Sequence, residues 1–280
     1  MLDTLRSKFL LIQTIRMPDI RLIATDMDGT LLNSAHKLPN DFYQIFEQLC
    51  EKNILFVAAS GRQYYNLLNV FEKIADRMSF IAENGTYVVH KGKEIASSLI
   101  SPETVLRVID IVMQIPNTGI VVCGKNCAYY QTEEPEFVYT VGLYYGRKQK
   151  VNNIKEHVSD CLKIAVFCGN GTEENVYPHV KQLLEQDLQV VVSGKVWLDM
   201  MPKGANKGEA LKKLQQALDI TSEQTLVFGD YMNDIEMLQD AKYSYAMKNA
   251  HPIVQKVANY VTHYSNDEEG VTKEIKKLVL

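Results

Sequence analysis

Two short apolar runs in this chain stop at carboxylates, and about 200 residues lie between them. The first, Leu22-Ile23-Ala24-Thr25, ends in Asp26-Met27-Asp28-Gly29. The second, Thr225-Leu226-Val227-Phe228, ends in Gly229-Asp230-Tyr231-Met232-Asn233-Asp234. Short continuous apolar runs closed by turn residues read as strands buried on both faces, the kind found in parallel sheets. Parallel strands bring their carboxyl ends to one edge, and ligands of open α/β sheets bind there. Acidic ends delivered to one edge can meet over one ligand.

The rest of the chain supplies the sheet. Phe42, Ile45, Phe46 and Leu49 have helical spacing after Pro39, which suits a first turn. Ile54 to Ala59 is a second strand, ending at Ser60-Gly61-Arg62. A helix with Leu67, Leu68 and Phe71 follows, then a third strand, Met78 to Ala82, ending at Glu83-Asn84-Gly85. This alternation predicts a doubly wound parallel sheet. From Tyr87 the rhythm changes to hairpins: 87–90 with 94–96, 119–123 with 127–131, and 189–192 with 196–200 around Ser193-Gly194-Lys195. Ser101-Pro102-Glu103 caps a helix between the first two. The wound pattern returns with a helix from Lys207, the strand 225–228, the strand 243–247 and a closing helix from Val271. The expected fold class is α/β: a doubly wound, Rossmann-like parallel-sheet core (residues 1–86 and 194–280) carrying an inserted α+β domain (87–193). Residues 1–16 read as a peripheral extension.

Composition narrows the partners. The net charge of −4 comes without a long Lys or Arg block, so nucleic acid is not an expected partner. The Phe9-Leu10-Leu11-Ile12 cluster is too short for a membrane span. Five cysteines without C-x-x-C spacing suit reduced thiols, and a cytoplasmic monomer or weak homodimer is expected.

The carboxylates suggest the chemistry. Asp26 and Asp28 would raise each other's pKa unless a positive charge stood between them. A hard cation such as Mg²⁺ would take Asp26 as an oxygen ligand. One carboxylate could then act as a nucleophile while its neighbour moved a proton. Taken alone, D-x-D-G reads equally as an acidic turn. Asp230 is the expected second metal ligand, and Asp234 a ligand or an orienting group. Ser60 offers a hydroxyl to phosphate oxygens, or merely caps the next helix. Lys207 opens a helix, against the helix dipole, and its expected partners are a phosphate and the nucleophilic carboxylate.

Asp-Met-Asp-Gly-Thr-Leu-Leu, Ala-Ser-Gly-Arg, Asn-Lys-Gly-Glu-Ala-Leu and Gly-Asp-Tyr-Met-Asn-Asp resemble, in order, the four motifs of the haloacid dehalogenase superfamily of phosphatases. The insert resembles the type IIB cap of the Cof-type branch, and the resemblance runs from residue 20 to 280. It implies Asp26 as nucleophile and Asp28 as general acid/base. Ser60, Gly61, Lys207 and Asn233 are implied phosphate ligands. Asp26, the Met27 carbonyl, Asp28, Asp230 and Asp234 are implied around Mg²⁺, and Arg62, Asn84 and Asn249 toward the substrate. Relatives usually carry glycine where this chain has Lys248.

The implied activity is Mg²⁺-dependent hydrolysis of small phosphate monoesters (sugar phosphates, nucleotides or related metabolites) through an aspartyl-phosphate. A phosphomutase of the same fold would need a second phosphate site in the insert, where Arg107 and Arg147 stand isolated. A non-catalytic phospholigand-binding protein would not need the intact Asp26 and Asp28. The cap is expected to choose the leaving group, with Tyr129, Tyr130, Tyr139, Tyr144 and Tyr145 either stacking on it or packing in the core.

Overall fold

The computed structural model describes residues 19–193 and 195–280; the extension read over residues 1–16 and Gly194 of the expected turn lie outside them. Five strands open the chain: β1 (Leu22–Asp26), β2 (Leu55–Ala59), β3 (Ser79–Ala82), β4 (Tyr87–His90) and β5 (Lys93–Ser97). Then come β6 (Thr118–Gly124), β7 (Ala128–Tyr130), β8 (Lys148–Lys150), β9 (Cys161–Cys168), β10 (Leu188–Val192) and β11 (Trp197–Pro202). The last three are β12 (Thr225–Gly229), β13 (Tyr243–Ala246) and β14 (Tyr260–Val261). Among the described residues they form two sheets, ordered β14-β13-β12-β1-β2-β3-β4-β5 and β10-β11-β9-β6-β7-β8.

From β14 to β3 the larger sheet is parallel. β1 lies inside it and is buried along its whole length. On one side the helix Phe42–Glu51 buries the four apolar positions that its spacing marked. Phe42 and Phe46 pack there against Phe56, with Phe71 and Phe80 adjoining. Each fully buried Phe contributes about 1.5–3 kcal/mol by removing apolar surface from water.

Both expected edges of the insert shift. The hairpin β4–β5 pairs antiparallel with β3, Phe80 opposite Val89, and so extends the larger sheet. The cause is local: Glu83, Asn84 and Gly85 all take positive φ (50°, 55° and 98°). That turn reverses the chain directly onto β3. At the other edge, β11 pairs with β9 and β10 in the smaller sheet. The sheets therefore divide the chain after β5 and after β11, not at 87 and 193.

The smaller sheet packs one face on the helices Pro102–Val112 and Tyr177–Leu184. Its other face carries Val121, Cys123, Ala165, Phe167 and Trp197 against Phe137 and Val141 of the helix Pro135–Tyr144. Tyr130 and Tyr145 belong to this second cluster, Tyr129 stacks on His157, and Tyr139 and Tyr144 are exposed. The helical stretch after β9 comes in two pieces, Thr172–Asn175 and Tyr177–Leu184, with Pro178 in the first turn of the second. Among the described residues no helix is long and apolar enough to cross a membrane.

Candidate active site

β1 lies between β12 and β2, with Thr25 opposite Phe228 and Asp26 opposite Ala59. Asp26, Asp230 and Ser60 consequently leave the sheet at the same edge. The turn after Asp26 needs its glycine, since Gly29 has φ +79° and a Cβ there would lie 2.3 Å from Asp230 Oδ2. Thr30 Oγ1 donates to Asp230 Oδ1 at 2.9 Å, joining the two acidic loops.

Lys207 connects them again from below. It is fully buried, and its Nζ donates to Asp26 Oδ1 at 2.5 Å and to Asp234 Oδ1 at 2.7 Å. Asn206 caps this helix by accepting from the Glu209 N–H at 2.8 Å. Burial disfavours the ammonium, but Asp234 and Asp26 outweigh it and hold the Lys207 pKa above its ordinary value. Asp234 Oδ2 accepts from the N–H groups of Asp230 (2.9 Å) and Tyr231 (3.2 Å), which fixes its rotamer.

One carboxylate oxygen from each of Asp26, Asp230 and Asp234 lies within 4.8 Å of the others. Three carboxylates face one ammonium, which leaves two negative charges in a largely buried space. Burial, with Asp234 and Asp230 nearby, pushes Asp26 well above the usual carboxylate range despite Lys207. Burial and Asp234 push Asp230 up to about 6. An all-oxygen set with this charge deficit fits a hard divalent cation such as Mg²⁺, and not a soft one.

Two further implied ligands have hydrogen-bond partners of their own. The Asp28 carboxylate lies outside that cluster, gripped by Arg62 through Nε (2.7 Å) and Nη2 (2.5 Å), with His36 Nδ1 at 3.1 Å. Although burial works against it, hydrogen bonding and charge from Arg62, then His36, lower its pKa. The Met27 carbonyl turns into the loop, where it accepts from the Leu32 N–H (2.8 Å) and the Thr30 N–H (3.4 Å).

Ser60 is buried, and its Oγ accepts from the Arg62 N–H at 3.2 Å in a local turn; it does not cap the next helix, which starts at Tyr64 with Gln63 at its N-cap. The Gly61 carbonyl accepts from Lys163 Nζ at 3.2 Å. Asn84 and Asn233 meet each other, Nδ2 of Asn233 donating to Oδ1 of Asn84 at 3.0 Å. Asn249 braces the first loop: its Nδ2 donates to the Gly29 carbonyl (2.8 Å) and its Oδ1 accepts from the Asn266 N–H (3.0 Å). Lys248 pairs with Glu268 at 3.3 Å.

Sequence reasoning missed Lys163, Glu83 and Gln63, which lie beside this edge. Lys163 had a signal: a single lysine inside the apolar run Cys161-Leu162-Lys163-Ile164-Ala165-Val166 is placed where lysine is almost never buried unless paired.

The chain matches the family model of the haloacid dehalogenase-like hydrolases over residues 23–275. It is 36% identical over 267 residues to the 5-amino-6-(5-phospho-D-ribitylamino)uracil phosphatase YbjI of Escherichia coli, covering 93% of this chain and 96% of that protein. It is 26% identical over 264 residues to the Bacillus subtilis phosphatase YcsE, which carries the same substrate in its name, covering 94% and 97%. Among solved structures, SMU.1108c from Streptococcus mutans superposes with a TM-score of 0.82 at 32% identity, covering 92% of this chain and 98% of that one. With the carboxylates, the buried lysine and the sheet edge all in place, this chain belongs to the haloacid dehalogenase-like hydrolases and is one of their phosphatases.

Proposed function

We propose that the protein hydrolyses small phosphate monoesters in a divalent-cation-dependent reaction, with Asp26 as nucleophile and Asp28 as proton carrier. The observation that carries this reading is Lys207 Nζ bridging Asp26 and Asp234 at the carboxyl edge of the sheet. A lysine held there aligns Asp26 and offers positive charge to phosphoryl oxygens.

Asp26, Asp230 and Asp234 would hold Mg²⁺, which when bound neutralises charge on the carboxylates and the phosphoryl oxygens. Asp26 forms a bond to phosphorus as the bond to the leaving oxygen breaks, and protonated Asp28 gives that oxygen its proton. Water then attacks the aspartyl-phosphate, yields a proton to Asp28 and frees Asp26. To take part, Asp28 turns away from Arg62 once the ester is bound. Ser60 and the Gly61 loop hold the phosphoryl group.

The smaller sheet and its helices, 98–202, serve as the cap in this reading. They meet the core at the carboxyl ends of β2 and β3, through Gln63 with Arg147 and Gly61 with Lys163. A cap in that position excludes bulk water and contacts the leaving group. The name of the 36%-identical relative makes 5-amino-6-(5-phospho-D-ribitylamino)uracil the first ester to assay. Phosphate release with Mg²⁺ across a panel of esters tests the reading. No release from any ester, at any divalent cation, would refute it.

A further inference from the structure

The two sheets are tied together beside the Ser60 loop. Gln63 accepts from the Arg147 N–H (2.9 Å) and donates to the Arg147 carbonyl (2.8 Å). The Arg147 guanidinium lies over the Tyr65 ring, 3.8 Å from its centroid. The third tie is ionic. Lys163 Nζ, from β9 of the smaller sheet, lies 2.7 Å from Glu83 Oε2 and 3.3 Å from Asp199 Oδ2, and donates to the Gly61 carbonyl at 3.2 Å. Lys163 is 4% exposed and Glu83 1%.

Glu83 begins the left-handed turn that ends the parallel part of the sheet. Its N–H donates to the Arg62 carbonyl, and the Asn84 N–H donates to the Ser60 carbonyl, both at 3.0 Å. The turn is therefore bonded, backbone to backbone, to the loop that carries Ser60. Its far side presses on the helix of Lys207, since a Cβ on Gly85 would lie 2.2 Å from the Asn206 carbonyl oxygen. One three-residue turn thus touches both elements that bring groups to the phosphoryl position. A carboxylate on a non-glycine residue at φ +50° is uncommon and is sustained only by its surroundings.

Those surroundings depend on the smaller sheet. Among the described residues neither Glu83 oxygen has a well-directed hydrogen bond, and the ammonium paired with it is that of Lys163. With Asp199, two carboxylates share one ammonium. Taking the cation away would leave buried charge uncompensated, a strongly unfavourable state. Lys163 cannot stay on Gly61 and Glu83 if the smaller sheet moves off the core.

We propose that Lys163 is a positioning residue for phosphate-ester hydrolysis: supplied by the cap, it sets the Ser60–Gly61 loop through the Gly61 carbonyl and the Glu83 turn, and does so only when the cap is docked. The inference rests on the reading of Ser60 and Gly61 as phosphate ligands. It differs from a leaving-group contact, because the phosphoryl group is common to every substrate.

The test compares wild type, Lys163→Met, Lys163→Arg, Glu83→Gln and Gln63→Ala. The readouts are kcat/KM on acetyl phosphate and on p-nitrophenyl phosphate, and the calorimetric affinity for inorganic phosphate, all with Mg²⁺. Lys163→Met should lower kcat/KM about 10–100-fold, by the same factor on both esters, and weaken phosphate binding about tenfold or more. Lys163→Arg should recover most of the loss. Gln63→Ala, which loosens docking without touching Gly61 or Glu83, should cost much less. If Lys163→Met fails to fold by circular dichroism, Glu83→Gln keeps the side-chain shape and carries the same expectations. Unchanged phosphate affinity, or a loss confined to the larger ester, would overturn the proposal. A wild type that neither hydrolyses an ester nor binds phosphate would refute the functional reading itself, and that result is visible before any variant is compared.

Discussion

Lys207 Nζ donates to Asp26 Oδ1 across 2.5 Å, although 181 residues separate them in sequence. The ammonium is fully buried at a helix N-terminus, where the helix dipole opposes it, so Asp26 and Asp234 must hold it there. Lys207→Met should lower Tm, because Asp26 and Asp234 lose their buried cation, and in the folded protein should lower kcat about 10²–10³-fold, the loss expected when a preorganised donor to developing charge is removed. Lys207→Arg should not rescue, because the planar guanidinium is larger and the site is closed. Steady-state kinetics beside a circular dichroism spectrum decides it.

Removing the cation should silence the enzyme. Dialysis against EDTA is expected to abolish phosphate release, and Mg²⁺ to restore it, because three carboxylates converge and, among the described residues, one ammonium, that of Lys207, pairs with them. Full turnover in metal-free buffer would contradict the role of Asp230.

Gly29→Ala should act through that site without touching substrate. The added methyl would sit 2.3 Å from Asp230 Oδ2, on backbone that L side chains rarely adopt. Either the turn or Asp230 must shift. The expected effect is a loss of Mg²⁺ affinity of about 10–100-fold, as when groups supporting a ligand are disturbed, read from the Mg²⁺ dependence of activity.

Much of this was legible in the sequence, and the limits have physical causes. The apolar runs ending at Asp26, Ser60 and Asp230 announced the parallel sheet and the edge these residues share, because buried strands show near-continuous hydrophobicity. β8 escaped notice since Lys148-Gln149-Lys150 is an exposed edge with no apolar residue to mark it. The insert's first boundary was misplaced because pairing of β4 with β3 depends on three left-handed residues, of which Gly85 and, more weakly, Asn84 advertise that conformation while Glu83 does not. The direction of Asp28 was hidden for another reason. Its partner, Arg62, comes from a different strand end, and no local pattern shows which loop side chains will meet.

Glu83 gives a pH dependence with a definite sign. Burial raises its pKa even though Lys163 on β9 opposes the shift, and Asp199 on β11 adds to it. A carboxyl whose pKa is raised on folding stabilises the protein fully below its unfolded value, about 4.3, and that stability is lost as pH rises through the folded value. Glu83→Gln should therefore gain Tm relative to wild type as pH rises above that range, even while phosphate affinity falls. Thermal melts over a pH series that starts at the ordinary glutamate value, about 4.3, and runs upward would show this. A Tm difference that stayed constant across the series would contradict the assignment.

Asp26 as nucleophile is the central claim, and trapping the phosphoryl group on it is the most direct measurement. Wild-type protein mixed with a radiolabelled phosphate ester and Mg²⁺, then quenched in acid within one turnover, should carry label on the chain. Hydroxylamine should release it, as it does from an acyl phosphate, and the labelled peptide should be the one that contains Asp26. Asp26→Asn should fold normally, take up no label and retain less than about a hundredth of the activity. Turnover without any label on wild type, or label and activity persisting in Asp26→Asn, would contradict covalent catalysis at this residue.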